Sequence, residues 1–282
     1  MKNTLNQSYK ELAIPYFAEV FDVIDQIMKD HQTPYYLIGV SAMALELLKK
    51  DIRPSRGTKD IDFAIMISNF KEYEAISESL EKYGFAKSYA PWTFYAAKYQ
   101  VAIDLLPFGE IEENDTVNFN KRYNDLHVLG FQEVLEEAAI VEIEEKFVNI
   151  PPLPGMIILK LIAWSDRPEE RENDLADILK IIQHFFDIAY DEIVEYHNDI
   201  FPEEEGLDEI IIGAEVLGRK ARKYLDKSER LSKRILTVLR ENLTDATKSE
   251  IAKQWAQKLD REIEYAFKVL EAFQRGLKNI ID

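Results

Sequence analysis

Asp60-Ile61-Asp62-Phe63-Ala64-Ile65-Met66-Ile67 is the stretch on which the fold turns. Its apolar, β-branched run predicts a strand over Ile61–Ile67, opened by two aspartates. Strand geometry sends residues i and i+2 to the same face, so Asp60 and Asp62 point the same way. Two carboxylates held that close repel each other unless a cation lies between them. A second apolar run, Val101-Ala102-Ile103-Asp104-Leu105-Leu106, also carries one acid in its middle. Such a residue is costly in an apolar segment unless it is paired or coordinated. If the two strands are neighbours, Asp60, Asp62 and Asp104 converge, and three carboxylates suit two magnesium ions together with the phosphates of a substrate.

Working outward, Tyr35–Ile38 is a short apolar strand that runs into Gly39, and Ser41–Lys50 reads as helix. Glycine permits close approach of backbone to a phosphate, and Ser41 can cap the helix while offering its hydroxyl. The helix N-terminus favours an anion. A plain strand-to-helix turn and a triphosphate cradle both fit these residues. A helix is expected over 69–82, and strand-like runs over 85–89, 92–98 and 100–106. Trp92, Phe94, Tyr95 and Tyr99 are expected to pack the sheet. Upstream, residues 9–31 carry the spacing of an amphipathic helix, with Pro15 marking a start or kink.

From about 154 the pattern becomes helical, over 154–165, 169–187, 189–198, 207–226, 229–242 and 248–277. The expected class is therefore α+β, a mixed sheet with helices followed by a helical half, divided near Pro151–Pro154. In the helical half Lys160 stands within Met156-Ile157-Ile158-Leu159-Lys160-Leu161-Ile162-Ala163-Trp164. An ammonium there needs an anionic partner or an escape to solvent. Asp174 and Asp177, three apart, share one face of the next helix. Arg167 and Arg171 suit helix ends or phosphates.

The 282-residue chain is 46% hydrophobic and 31% charged, an ordinary globular composition. It has no cysteine, which excludes disulfides, thiolate zinc sites and a cysteine nucleophile. No stretch approaches the roughly 18 apolar residues of a membrane span. The first residues lack the apolar core of a secretory signal, so a cytoplasmic protein is expected. The formal net charge of −17 argues against binding nucleic acid over the whole surface. One island departs from it: Arg219, Lys220, Arg222, Lys223, Lys227, Arg230, Lys233, Arg234 and Arg240 face only Asp226 and Glu229. It reads as a solvated helix face or as a surface for phosphates. His31, His127, His184 and His197 have no metal-ligand spacing and read as structural or surface residues.

Asp-x-Asp by itself also occurs in haloacid-dehalogenase-like phosphatases, where the strand precedes the aspartates, and in glycosyltransferases, after a longer nucleotide-binding region. Several spaced motifs taken together are more specific. The series Gly39-x-Ser41-Ala42, Arg56-x-Thr58-x-Asp60-Ile61-Asp62-Phe63 and Ile103-Asp104-Leu105-Leu106-Pro107-Phe108-Gly109 resembles the nucleotidyltransferases of the polymerase-β-like superfamily. Leu153-Pro154-Gly155-Met156, Leu159-Lys160-Leu161-x-Ala163-Trp164-x-Asp166-Arg167 and Asn173-Asp174-Leu175-Ala176-Asp177 extend the likeness toward the AbiEii group of type IV toxin–antitoxin systems. Two positions depart from the pattern: Gly39-Val40 replaces a Gly-Gly or Gly-Ser pair, and Asn173 stands where the group often has lysine.

The resemblance implies a nucleotidyltransferase catalytic domain with an N-terminal helix over 1–150. It also implies a helical domain over 151–282 that contributes to nucleotide and acceptor binding. It implies transfer of a nucleoside monophosphate from an NTP to an acceptor hydroxyl with two magnesium ions held by Asp60, Asp62 and Asp104. Gly39, Ser41, Arg56, Thr58, Lys160 and Asp174 are the nucleotide-binding residues in that reading. A tRNA-like RNA acceptor meeting the Arg219–Arg240 island, and an antitoxin protein as partner of a toxin, are the further expectations. The alternative is a non-catalytic nucleotide-binding or regulatory module on the same fold.

Overall fold

A computed structural model of the protein describes residues 16–53, 60–119, 125–143, 146–202 and 206–278. The chain forms two compact units, Met1–Pro152 and Leu153–Asp282. In the first unit the elements run α1 (Phe17–Asp30), β1 (Tyr35–Leu37), α2 (Gly39–Leu48), β2 (Asp60–Met66), α3 (Phe70–Lys82), β3 (Phe85–Lys87), β4 (Thr93–Ala96) and β5 (Val101–Phe108). They continue with β6 (Thr116–Asn118), β7 (Asp125–His127), α4 (Phe131–Leu135), β8 (Ala139–Ile143) and β9 (Lys146–Ile150).

Seven strands form one sheet in the order β3-β4-β5-β2-β1-β9-β8, and β6 pairs with β7 separately. β2 runs parallel to β5, and β1 parallel to β9. The other pairs in the large sheet are antiparallel, which makes it mixed. The α+β class expected from the sequence is thus the observed one. β2 buries Ile61, Phe63 and Ile65 on one face. Phe21 of α1 closes over that face, 6.4 Å between ring centroids from Phe63 and 6.3 Å from Tyr35. Alternation then turns Asp60 and Asp62 to the other face, away from α1. α3 is held at its start by Asn69, whose side chain accepts from the Lys71 and Glu72 amides, while Glu72 accepts from the Ser68 amide. This reciprocal capping satisfies donors the helix leaves unpaired.

The second unit contains only helices among its described residues. They are α5 (Leu153–Asp166), α6 (Glu172–Ile188), α7 (Tyr190–Tyr196), α8 (Glu209–Lys227), α9 (Glu229–Asn242), α10 (Glu250–Leu259) and α11 (Ile263–Lys278). α8 and α11 cross at backbone distance. A Cβ on Gly218 would lie 2.2 Å from the Phe273 carbonyl oxygen, and one on Gly276 would lie 2.0 Å from that of Glu215. Among the described residues no helix is long and apolar enough to cross a membrane.

Three expectations change. The single helix expected over 248–277 is two, because Asp260 takes a left-handed conformation (φ 51°) and ends α10. The N-terminal helix is seen as Phe17–Asp30, and Pro15 lies outside the described residues. Strands β6 to β9 and helix α4 were not expected. They are three to five residues long, too short for periodicity to declare them.

Candidate active site

The register of β2 and β5 carries the site. Asp62 stands directly beside Asp104, and Asp60 beside Ala102. Neighbouring strands lie about 4.8 Å apart, so the three carboxylates share one sheet face within two residues along it. Asp60 is exposed, while Asp62 and Asp104 are half-buried. On the far side of β5, Thr93 is the register partner of Asp104, and its hydroxyl donates to Asp104 Oδ1 at 2.5 Å. Asp62, Asp104 and Thr93 therefore form one row across three strands. Thr93 was not singled out in the sequence, since only register brings it to Asp104.

Gly39 meets the other side of Asp62. The amide of Ile38 donates to the Asp62 carbonyl at 2.9 Å, which pins the end of β1 to β2. Gly39 then turns the chain with φ 66°, and a Cβ there would lie 2.0 Å from Asp62 Oδ2. Only a residue without a side chain fits between the carboxylate and the start of α2. Ser41 does not cap that helix, contrary to expectation. α2 begins at Gly39 with Ile38 as its N-cap, so Ser41 already lies inside the first turn. Its Oγ is buried and has no hydrogen-bond partner among the described residues. An unsatisfied buried hydroxyl is uncommon in a folded protein.

Tyr73 of α3 donates its hydroxyl to the Pro91 carbonyl at 3.0 Å. Burial and then the charge of Asp104 push its pKa far above the ordinary tyrosine value. Among the described residues no three acidic or histidine side chains close into a cage for a metal ion. Arg56 and Thr58 lie outside the described residues.

Lys160 and Asp174 belong to the helical unit. Lys160 is buried on α5 and donates to Asp174 Oδ1 at 2.9 Å and Asp177 Oδ2 at 2.8 Å, both on α6. Burial alone would lower its pKa. The charges and hydrogen bonds of the two aspartates outweigh that effect and hold it above the ordinary lysine value. The anionic partner that the sequence required is thus a pair, and Asp177 has as large a share as Asp174. Arg171 approaches Asp174 Oδ2 at 3.9 Å.

The basic island is interleaved with acids brought from elsewhere in the chain. Arg219 donates to both oxygens of Asp199, at 2.8 and 2.6 Å. Lys220 pairs with Glu192, and Arg222 with Asp226 at 3.5 Å. Arg234 binds Asp166 at 2.8 Å and the Ser165 carbonyl at 3.1 Å. The sequence hid this neutralisation because most of the acids lie on other elements. Of the four aromatic residues assigned to sheet packing, Phe94 is buried, Trp92 rests on Phe119, and Tyr99 meets Tyr16. Tyr95 departs from that expectation and is 43% exposed.

No family model and no curated protein matches the chain by sequence. Among solved structures it is similar to the antibiotic-resistance factor ANT(2'')-Ia, with a TM-score of 0.38 and 14% identity over 64% of this chain and 96% of that one. A nucleotidyltransferase-like protein from Paracoccidioides brasiliensis gives a TM-score of 0.41 and 15% identity, covering 82% and 95%. The CdnE cyclic dinucleotide synthase of Elizabethkingia meningoseptica gives 0.30 and 10%, covering 98% and 96%.

Proposed function

We propose that the protein transfers a nucleoside monophosphate from an NTP to an acceptor hydroxyl. The observation that carries this is the register of Asp62 with Asp104 on the face that also holds Asp60, with the bare backbone of Gly39 against Asp62. A phosphate oxygen near the first turn of α2 would give the orphaned Ser41 hydroxyl its missing partner. The motif resemblance independently assigns the same residues to this chemistry.

Magnesium fits the donor set. Asp60, Asp62 and Asp104 offer only hard oxygen ligands on an accessible face. Magnesium usually keeps several waters and takes other ligands from substrate phosphates. When bound, it would neutralise triphosphate charge and polarise the phosphoryl oxygen.

In this reaction the acceptor oxygen forms a bond to the α-phosphorus, the bond to the β-phosphate oxygen breaks, and pyrophosphate leaves with the electron pair. Asp104, oriented by the Thr93 hydroxyl, takes the acceptor proton. The resemblance assigns Lys160 to the nucleotide phosphates, and within the helical unit its ammonium is held by Asp174 and Asp177. The AbiEii likeness extends the proposal to a toxin held by an antitoxin, testable as growth arrest that an Asp62→Asn chain fails to cause.

The test is incubation with each α-labelled NTP, magnesium and total RNA, beside an Asp60→Asn/Asp62→Asn chain. Label should enter RNA only with the intact protein, with a loss of at least about a thousandfold in the variant. Equal labelling by both chains would sink the assignment. NTP binding without any turnover would establish the non-catalytic module instead.

A further inference from the structure

Thr93 reaches Asp104 because of where the ladder between β4 and β5 puts its hydrogen bonds. The Leu105 amide donates to the Trp92 carbonyl at 2.8 Å, which makes Trp92 and Leu105 a hydrogen-bonded pair. The next pair along, Thr93 with Asp104, is then a non-hydrogen-bonded one, in which facing side chains lie closest. The Thr93 hydroxyl takes that opportunity at 2.5 Å from Asp104 Oδ1, the length of a charge-assisted bond to a carboxylate.

The backbone that carries this hydroxyl is itself anchored. The Ser88 amide donates to the Thr93 carbonyl at 2.8 Å, and the Thr93 amide donates to the Ala90 carbonyl at 3.1 Å. Two residues upstream, the Pro91 carbonyl accepts from Tyr73 of α3 at 3.0 Å. The rings of Tyr73 and Trp92 both meet Phe119, at 5.3 and 5.6 Å between centroids. A hydroxyl on so constrained a segment stays in place, and the Asp104 side chain orients toward it. Asp62 lies across β5 from Thr93. Drawing Oδ1 toward β4 therefore turns Oδ2 toward Asp62.

We infer that Thr93 is a positioning residue that divides the work of the two Asp104 oxygens. Its hydroxyl keeps Oδ1 on the β4 side, so that a magnesium ion beside Asp62 meets Asp104 through Oδ2. This rests on the proposed transfer reaction and names the residue that orders its third carboxylate. Without the hydroxyl, Asp104 gains rotational freedom that a metal has to remove on binding, which is why partners behind a ligand matter for affinity.

The test uses Mn2+ as probe, with the free ion counted by electron paramagnetic resonance, beside steady-state transfer from labelled NTP. Thr93→Val keeps the branched shape and loses the donor. It should weaken Mn2+ binding about tenfold to a hundredfold and lower kcat comparably, with KM for NTP unchanged. Thr93→Ser restores the donor and should recover most of both. In an Asp104→Ala chain, adding Thr93→Val should bring no further loss of Mn2+ affinity, since the two residues act as one unit. Unchanged Mn2+ affinity in Thr93→Val, a full further loss in the Asp104→Ala chain, or no Mn2+ binding by the intact protein overturns the inference. So does a loss in Thr93→Val that Thr93→Ser fails to recover and that follows a lowered urea midpoint, which would make the pair structural. Thr93-dependent Mn2+ binding by a protein that transfers nothing keeps the inference and removes the reaction. Transfer that Thr93→Val leaves intact keeps the reaction and removes the inference.

Discussion

Gly39 shows how much of the site depends on one missing side chain. In Gly39→Ala the new Cβ would meet Asp62 Oδ2 at 2.0 Å, and the left-handed φ of 66° would cost about 1–2 kcal/mol by itself. Asp62 has to move, and displacements near 1 Å cost about a hundredfold in rate. Transfer should fall by about that factor while the melting temperature drops only a few degrees. A variant with intact activity would show that Asp62 is not held where the chemistry needs it. Lys160 gives a residue-scale prediction of another kind. Removing its charge in Lys160→Met leaves Asp174 and Asp177 facing each other in a buried setting, at about 3–5 kcal/mol in urea unfolding. Its pKa is raised on folding, so this stabilisation is complete below the ordinary lysine pKa of about 10.4 and fades as pH rises through the folded value. The gap between the two chains should stay level from pH 7 to about 10 and narrow above. A gap that widened with pH would contradict the buried trio.

At the scale of elements, the α8–α11 crossing reverses a usual sign. Replacing a mid-helix glycine by alanine ordinarily stabilises by up to about 1 kcal/mol. In Gly218→Ala the added methyl would press on the Phe273 backbone carbonyl at 2.2 Å, which no rotamer change relieves. A net loss of about 1–3 kcal/mol is expected, read as a lower urea midpoint at unchanged slope. A midpoint that rises would mean the helices do not cross so closely. This scale also separates what the sequence announces from what it hides. β2 and β5 were legible because each is a run of β-branched and apolar residues broken by a single kind of misfit, the aspartates. The role of Thr93 and the exposure of Tyr95 were not legible, because the register between strands leaves no local pattern in the sequence. Ser41 was placed one turn too early, since a serine after glycine looks like an N-cap until the helix is seen to start at Gly39 itself. Asp260 broke the last long helix without a glycine or proline to signal it. Lys160 announced that it needed a partner, and the partners lay 14 and 17 residues away.

For the whole molecule, charge sets the terms on which any RNA approaches. With a net charge of −17 the chain repels a polyanion, but beyond the Debye length, about 10 Å at 0.1 M salt, that repulsion is screened, so local charge decides the contact. The island between Arg219 and Arg240 has nine cations, and if it were the contact surface the slope of log K against log salt would approach about −6. Between 50 and 200 mM salt nine contacting cations would mean a loss of several thousandfold. Four of the nine are ion-paired within the protein, with Asp199, Glu192, Asp226 and Asp166, so the slope should be shallower than that. If the island meets the RNA, Lys227→Ala/Lys233→Ala should flatten the slope by about 1.4, at about 0.7 per cation. A slope that this double change left as it was would take the acceptor off the helical unit.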